Sequence, residues 1–163
     1  MENPASPGIL IIDDDHSMRQ VIALGLERRG YRVRSAESGR AGLRAFDAER
    51  PALVITDILM PDIEGIETIM ALKAKGGPAA KIIAMSGGGR LVGHDFLKWA
   101  THLGADRTLA KPFRLSALLA MVVELIGEAD APKAPGGWRS TAQAQDAGAG
   151  SDEGLYGKPH ADA

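Results

Sequence analysis

Four apolar runs along this chain each stop on a polar group. Gly8–Ile12 runs into Asp13, Asp14 and Asp15, Leu53–Thr56 into Asp57, and Ile82–Met85 into Ser86. The shorter run Thr108–Ala110 meets Lys111, with Pro112 behind it. Short runs rich in Ile, Val and Leu, separated by helix-like segments, read as strands buried on both faces of a parallel sheet. The pattern predicts strands at 9–12, 31–36, 52–56, 81–85 and 107–110. Residues 31–36 differ from the rest: Tyr31, Val33 and Ser35 alternate with Arg32 and Arg34, as expected of an edge strand with one wet face. Helices are predicted at 17–29, stopped by Gly30, at 38–49, closed by Pro51, and at 66–75, broken by Gly76-Gly77-Pro78. A fourth helix carries Phe96, Trp99, Ala100 and Leu103 at i, i+3, i+4, i+7, which places Phe96 and Trp99 in the core. A fifth, 115–126, has Leu115, Leu118, Leu119, Val122 and Ile126 on one stripe. Five β-α repeats imply right-handed crossovers and an open, doubly wound α/β sheet.

In such a sheet the strand C-termini share one edge, where ligands bind. The polar groups that end the runs then converge: carboxylates, a hydroxyl and an ammonium. That set suits a divalent cation and a phosphoryl group. Gly87-Gly88-Gly89 looks like a phosphate-cradling loop, but no Gly-Lys-Ser/Thr ending follows, so it reads as flexibility and not as a P-loop. His16, His94, His102 and His160 have no metal-ligand spacing and read as surface residues. The arginines at 28, 29, 32 and 34 read as a solvated patch in preference to a docking surface.

Composition narrows the picture. With 163 residues, 45% of them hydrophobic, the chain suits one domain with an appendage. A formal charge of −2 does not argue for nucleic acid or a membrane surface. The absence of cysteine removes disulfides and thiolate chemistry. Met1-Glu2-Asn3-Pro4 lacks the basic and apolar regions of a secretion signal, and no segment approaches the ~20 apolar residues of a membrane span, so a cytoplasmic protein without membrane insertion is expected. After Gly127 the composition turns to Ala, Gly and Pro, with only Trp138, Leu155 and Tyr156 as larger apolar residues. Residues 1–127 are therefore expected to form the domain and 128–163 a disordered tail.

Four signatures, in order, resemble the receiver domain of bacterial two-component response regulators: Ile11-Ile12-Asp13-Asp14-Asp15, Ile55-Thr56-Asp57-Ile58-Leu59-Met60-Pro61, Ala84-Met85-Ser86-Gly87 and Ala110-Lys111-Pro112-Phe113. The resemblance runs from about Ile9 to Ile126 and is nearest to the chemotaxis-type, stand-alone receiver. It implies a flavodoxin-like, doubly wound sheet of five parallel strands in the order 2-1-3-4-5, with five helices. It implies Asp57 as phosphoacceptor, and Asp13, Asp14, Asp57 and the carbonyl of Leu59 as ligands of Mg2+. Ser86 would bind a phosphoryl oxygen and couple the site to the fold, while Lys111 would pair with the phosphate. The implied partners are a sensor histidine kinase or histidine phosphotransfer protein upstream and a partner protein downstream, without DNA. The readout surface would be the fourth helix, fifth strand and fifth helix.

Three departures stand out. Thr108 occupies the position where many receivers carry an aromatic switch residue. The stretch from Ser86 to Lys111 is longer than usual, with the excess around 88–93. The positions two beyond Asp57 and Ser86 are Leu59 and Gly88, which offer no acid or amide to orient water. Two rivals remain: a constitutive binding module that never uses phosphorylation, and an Asp-nucleophile phosphatase of the haloacid-dehalogenase type. The second usually needs another Asp two residues after the nucleophile, where this chain has Leu59.

Overall fold

The computed structural model describes residues 6–60, 65–76, 79–87 and 92–130, and of residues 92–96 the backbone alone. The chain divides into two units, Met1–Pro132 and Lys133–Ala163; the described residues belong to the first. Its strands are β1 (Gly8–Ile12), β2 (Arg32–Ala36), β3 (Leu53–Asp57), β4 (Lys81–Ser86) and β5 (Arg107–Ala110). Its helices are α1 (His16–Glu27), α2 (Gly39–Glu49), α3 (Gly65–Gly76), α4 (Val92–His102) and α5 (Leu115–Ile126). All strand pairs are parallel and the order is β2-β1-β3-β4-β5.

Alternate residues of the central strands feed two cores, because successive side chains point to opposite faces. Leu10, Ile12, Val54, Ile82 and Ala84 pack with Phe46, Ile69, Leu72 and Ala100 on one face. Ile9, Ile11, Leu53, Ile55, Ile83 and Met85 pack with Ile22, Leu26, Leu118 and Val122 on the other. This double burial is why the runs at β1, β3 and β4 are continuously apolar. At the edge, β2 exposes Arg32 and Arg34 and buries Ala36, with Tyr31 buried just before it; Ser35, grouped with the inner positions by its alternation, is exposed.

Local chemistry starts the helices where the sequence suggests. Asp15 Oδ1 accepts from the Met18 amide at 3.1 Å, and Ser38 Oγ from the Ala41 amide at 3.3 Å, each cap contributing about 1 kcal/mol. Tyr31 Oη donates to the Gly127 carbonyl at 2.6 Å, which ties the entry of β2 to the end of α5. Arg28 and Arg29 are exposed, Arg32 donates to the Ser6 carbonyl, and Arg34 pairs with Glu49 at 3.4 Å.

One core assignment needs correction. Trp99 is 63% exposed, while Ala100 beside it is fully buried. Neighbours on a helix lie 100° apart, so both cannot occupy the centre of the buried stripe. The smaller residue takes the seat against the sheet, and Trp99 turns to the rim. The side chain of Phe96 lies outside the described residues, as do Gly88, Gly89 and most of the loop expected to carry extra length.

Candidate functional site

The C-terminal ends of β1, β3, β4 and β5 bring Asp13, Asp57, Ser86 and Lys111 together. Asp13 is fully buried and Asp57 nearly so, at 6% exposure. Lys111 Nζ spans the two carboxylates, donating to Asp13 Oδ2 at 2.7 Å and to Asp57 Oδ2 at 2.9 Å. The other oxygens are held by backbone: the Asp15 amide donates to Asp13 Oδ1 at 2.9 Å and the Leu59 amide to Asp57 Oδ1 at 3.0 Å. Asp14 is exposed, yet its carboxylate, those of Asp13 and Asp57 offer oxygens within 4.8 Å of one another.

The three consecutive aspartates divide their labour. Asp13 forms the buried floor, Asp14 the exposed lip, and Asp15 caps α1. Arg19, one turn into α1, donates from Nη1 to the Asp13 carbonyl at 2.7 Å, with Nη2 at 3.2 Å from exposed His16 Nδ1. This clamp on the acidic loop was not legible in the motifs, though a basic residue six places after Asp13 on the same helix is the signal that could have suggested it.

The cluster is short of positive charge. Burial pushes the Asp13 carboxyl above its ordinary pKa, more than the hydrogen bonds from Lys111 and the Asp15 amide pull it down. Burial also works against the charge on Lys111, but its bonds to Asp13 and Asp57 outweigh burial and hold its pKa above the usual value. One ammonium thus serves several carboxylates. Hard oxygen donors gathered around a charge deficit fit a divalent cation such as Mg2+, which takes one or two carboxylates and keeps several waters.

Ser86 is 2% exposed and its Oγ finds no hydrogen-bond partner among the described residues. Its position is firm: the Lys111 amide donates to its carbonyl at 2.7 Å, and Met85 before it accepts from the Ile58 amide at 2.8 Å. A buried, unpaired hydroxyl costs stability, as it does for Thr68 Oγ1, the other such group among the described residues; Ser86 differs in standing at the strand end next to the acidic cluster. Leu59 is 40% exposed beside Asp57. Thr108 on β5 is half-buried and carries no ring.

The comparisons with known proteins agree with this geometry. A family model described as the response regulator receiver domain matches residues 9–123, and the chain belongs to that family. Receiver domains are signalling modules of two-component systems. Response regulator MprA of Mycolicibacterium vanbaalenii is 33% identical over 121 residues, covering 72% of this chain and 49% of its own. The chain spans about half the length of the curated relatives it matches. Among solved structures, chemotaxis protein CheY4 of Vibrio cholerae superposes with a TM-score of 0.68 at 26% identity, over 75% of this chain and all of that one. A response regulator of Burkholderia pseudomallei, solved with a phosphorylated aspartic acid, calcium ion and citrate, gives 0.63 at 31% identity over 71% of this chain and 65% of its own. Among the described residues no helix is long and apolar enough to cross a membrane.

Proposed function

We propose that the chain is a phosphorylation-controlled switch in which Asp57 accepts a phosphoryl group from a histidine kinase or histidine phosphotransfer protein. The observation that carries this reading is Lys111 Nζ lying between Asp13 and Asp57, within a knot of three convergent carboxylates. An Asp57 oxygen attacks phosphorus while the bond from phosphorus to the donor's imidazole nitrogen breaks. The leaving nitrogen keeps the electron pair and takes a proton. Water later attacks the aspartyl phosphate, releasing inorganic phosphate and restoring Asp57.

Attack of one anion on another is opposed by repulsion, and positive charge at the site offsets it. Lys111 supplies one such charge. Asp13, Asp14, Asp57 and the Leu59 carbonyl would hold Mg2+, which would supply further positive charge to offset the repulsion between the carboxylate and the phosphoryl donor. Ser86 Oγ then gains the partner it lacks. Phosphorylation adds roughly −1.5 to −2 charge, and a Ser86 drawn to the new oxygens transmits the change to α4 and β5. With Thr108 in place of an aromatic residue, the change passes through backbone and α4, toward a partner protein at the α4–β5–α5 face. We assign this activity to residues 1–127, because the apolar stripe of the α5 sequence ends at Ile126, and treat 128–163 as an appended segment.

Incubation with acetyl phosphate and Mg2+, followed by intact-mass measurement, tests the reading. A single, transient phosphoryl adduct is expected. No adduct would indicate a constitutive binding module, and multiple turnover of a phosphoester would indicate a phosphatase.

A further inference from the structure

Gly65 opens α3, and its amide donates to the Ile58 carbonyl at 2.8 Å. A Cβ placed on Gly65 would lie 2.3 Å from Ile58 Cα, 2.4 Å from the Asp57 carbonyl oxygen and 2.6 Å from the Ile58 carbonyl oxygen. All three distances are far inside van der Waals contact, and all three atoms are backbone. The other tight glycines among the described residues meet side chains: Gly25 the end of Leu115, Gly42 the end of Ile12, and Gly76 the Ala80 methyl and the Phe46 ring. The ends of Leu115 and Ile12 and the Phe46 ring can turn aside, although the Ala80 methyl is fixed to its backbone. The backbone at Gly65 cannot, because the Ile58 amide is already bonded to Met85 of β4 and Asp57 is paired in the sheet. Any side chain at position 65 must therefore push the start of α3 away from the Asp57–Ile58 backbone.

We propose that Gly65 is a positioning residue for the acidic site: its missing side chain lets α3 sit on the Asp57–Ile58 backbone, and that seat holds Leu59 against Asp57. The inference rests on the proposed use of Asp57 and deepens it. The link is the Leu59 amide, which fixes Asp57 Oδ1 at 3.0 Å, and the Leu59 carbonyl assigned to Mg2+. When α3 retreats, the Leu59 peptide shifts, the Asp57 carboxylate loses one of its two restraints and the metal loses a preset ligand. Asp13, Asp14 and Lys111 follow β1 and β5, away from the Asp57–Ile58 backbone that Gly65 meets.

The test uses the full chain as wild type, as Gly65→Ala, and as Val122→Ala, a core truncation on α5 remote from the site. Each is melted across a Mg2+ titration, and labelling by acetyl phosphate is followed alongside. Gly65→Ala is expected to raise the Mg2+ concentration giving half of the thermal stabilisation by about tenfold or more, the scale on which groups that orient metal ligands act. Val122→Ala is expected to melt earlier with an unchanged Mg2+ midpoint. A wild-type midpoint in Gly65→Ala, or the same displacement in Val122→Ala, would overturn the role assigned to Gly65. Absence of an adduct on the wild type would instead sink the function proposed for Asp57. Should Gly65→Ala not fold, the wild type carries the test through amide hydrogen exchange. Mg2+ with beryllofluoride is expected to slow exchange at Gly65 and Leu59 together, and protection of Leu59 alone would overturn the coupling.

Discussion

Asp57 has both oxygens committed, one accepting from Lys111 and one from the Leu59 amide, so its replacement by Asn keeps one acceptor and sets an NH2 against the other donor, a cost opposed by the loss of charge repulsion. The side-chain shape is kept, an acceptor oxygen remains, and a negative charge leaves a crowded acidic cluster. Asp57→Asn is expected to take no phosphoryl group and to keep or slightly raise stability, read by intact mass and by thermal melting. Ser86 makes a sharper case. Its Oγ is buried without a described partner, so Ser86→Ala removes a hydroxyl that already cost free energy to bury. Chemical denaturation is expected to show Ser86→Ala as stable as the parent or more stable by about 1 kcal/mol, while phosphorylation no longer alters α4. A loss of more than about 1 kcal/mol would mean that Oγ is satisfied in the resting protein. At this scale the motifs told which side chains gather, because each stands at the C-terminal end of a parallel strand. They did not tell that Asp13 is wholly enclosed, that Asp15 serves α1, or that Gly65 is confined by backbone. The enclosure of Asp13 depends on contacts between distant segments, the Asp15 cap is a local contact with Met18 that three successive aspartates leave ambiguous, and a single glycine looks the same in a loose turn as in a tight one.

The elements were legible wherever period and punctuation agree. The bounds of β5 and α5 match their pattern, and β1, β3 and β4 announce themselves because a strand covered on both faces has no polar position to confuse the reading. The fourth helix was harder: its stripe had the right period, but nothing local says whether Trp99 or Ala100 faces the sheet. At the opposite edge of the sheet from the acidic site, the sequence gives no sign of a polar junction formed by Asp106. Its carboxylate accepts from the Ile82 amide at 2.9 Å and pairs with Lys73 at 3.3 Å and Lys81 at 3.5 Å. Lys73 also donates to the Ala80 carbonyl, so the junction joins α3, β4 and the approach to β5. Partial burial raises the Asp106 pKa, but the Ile82 amide and the two lysines overcome it, and the net direction is below the ordinary 3.8. Between the lowered folded value and the unfolded value, the unfolded chain binds more protons, so stability falls as pH falls. The contribution is complete above the unfolded pKa and disappears as pH drops through the folded one. Asp106→Asn is expected to lower stability near neutral pH and to flatten the acid slope below about pH 4, seen as a smaller change in melting temperature between neutral and acidic buffer. An unchanged slope would move the acid sensitivity to another carboxylate.

For the molecule as a whole, the acidic cluster links metal to folding. Asp13 and Asp57 stand at the ends of β1 and β3, two of the three strands flanked on both sides within the sheet, so their repulsion is felt by the centre of the fold. Unfolding scatters these carboxylates and with them any site for a hard cation. A ligand that binds only the folded state stabilises it by RT ln(1 + [L]/Kd), about 1.4 kcal/mol at ten times Kd. Mg2+ is therefore expected to raise the melting temperature in a saturable way, beyond the effect of a monovalent salt at equal ionic strength. Asp14 separates specific binding from general screening. It is exposed and contributes nothing to the buried floor, so Asp14→Ala leaves the fold near its parental stability without metal. Its oxygen is nonetheless one of the three that converge, and its loss leaves Asp13 and Asp57, both engaged with Lys111, to hold the ion. Melting of Asp14→Ala is expected to respond to Mg2+ no more than to the matched salt. A full Mg2+ response in that variant would place the cation away from the ends of β1 and β3, and would separate the metal from the aspartate that Lys111 holds ready.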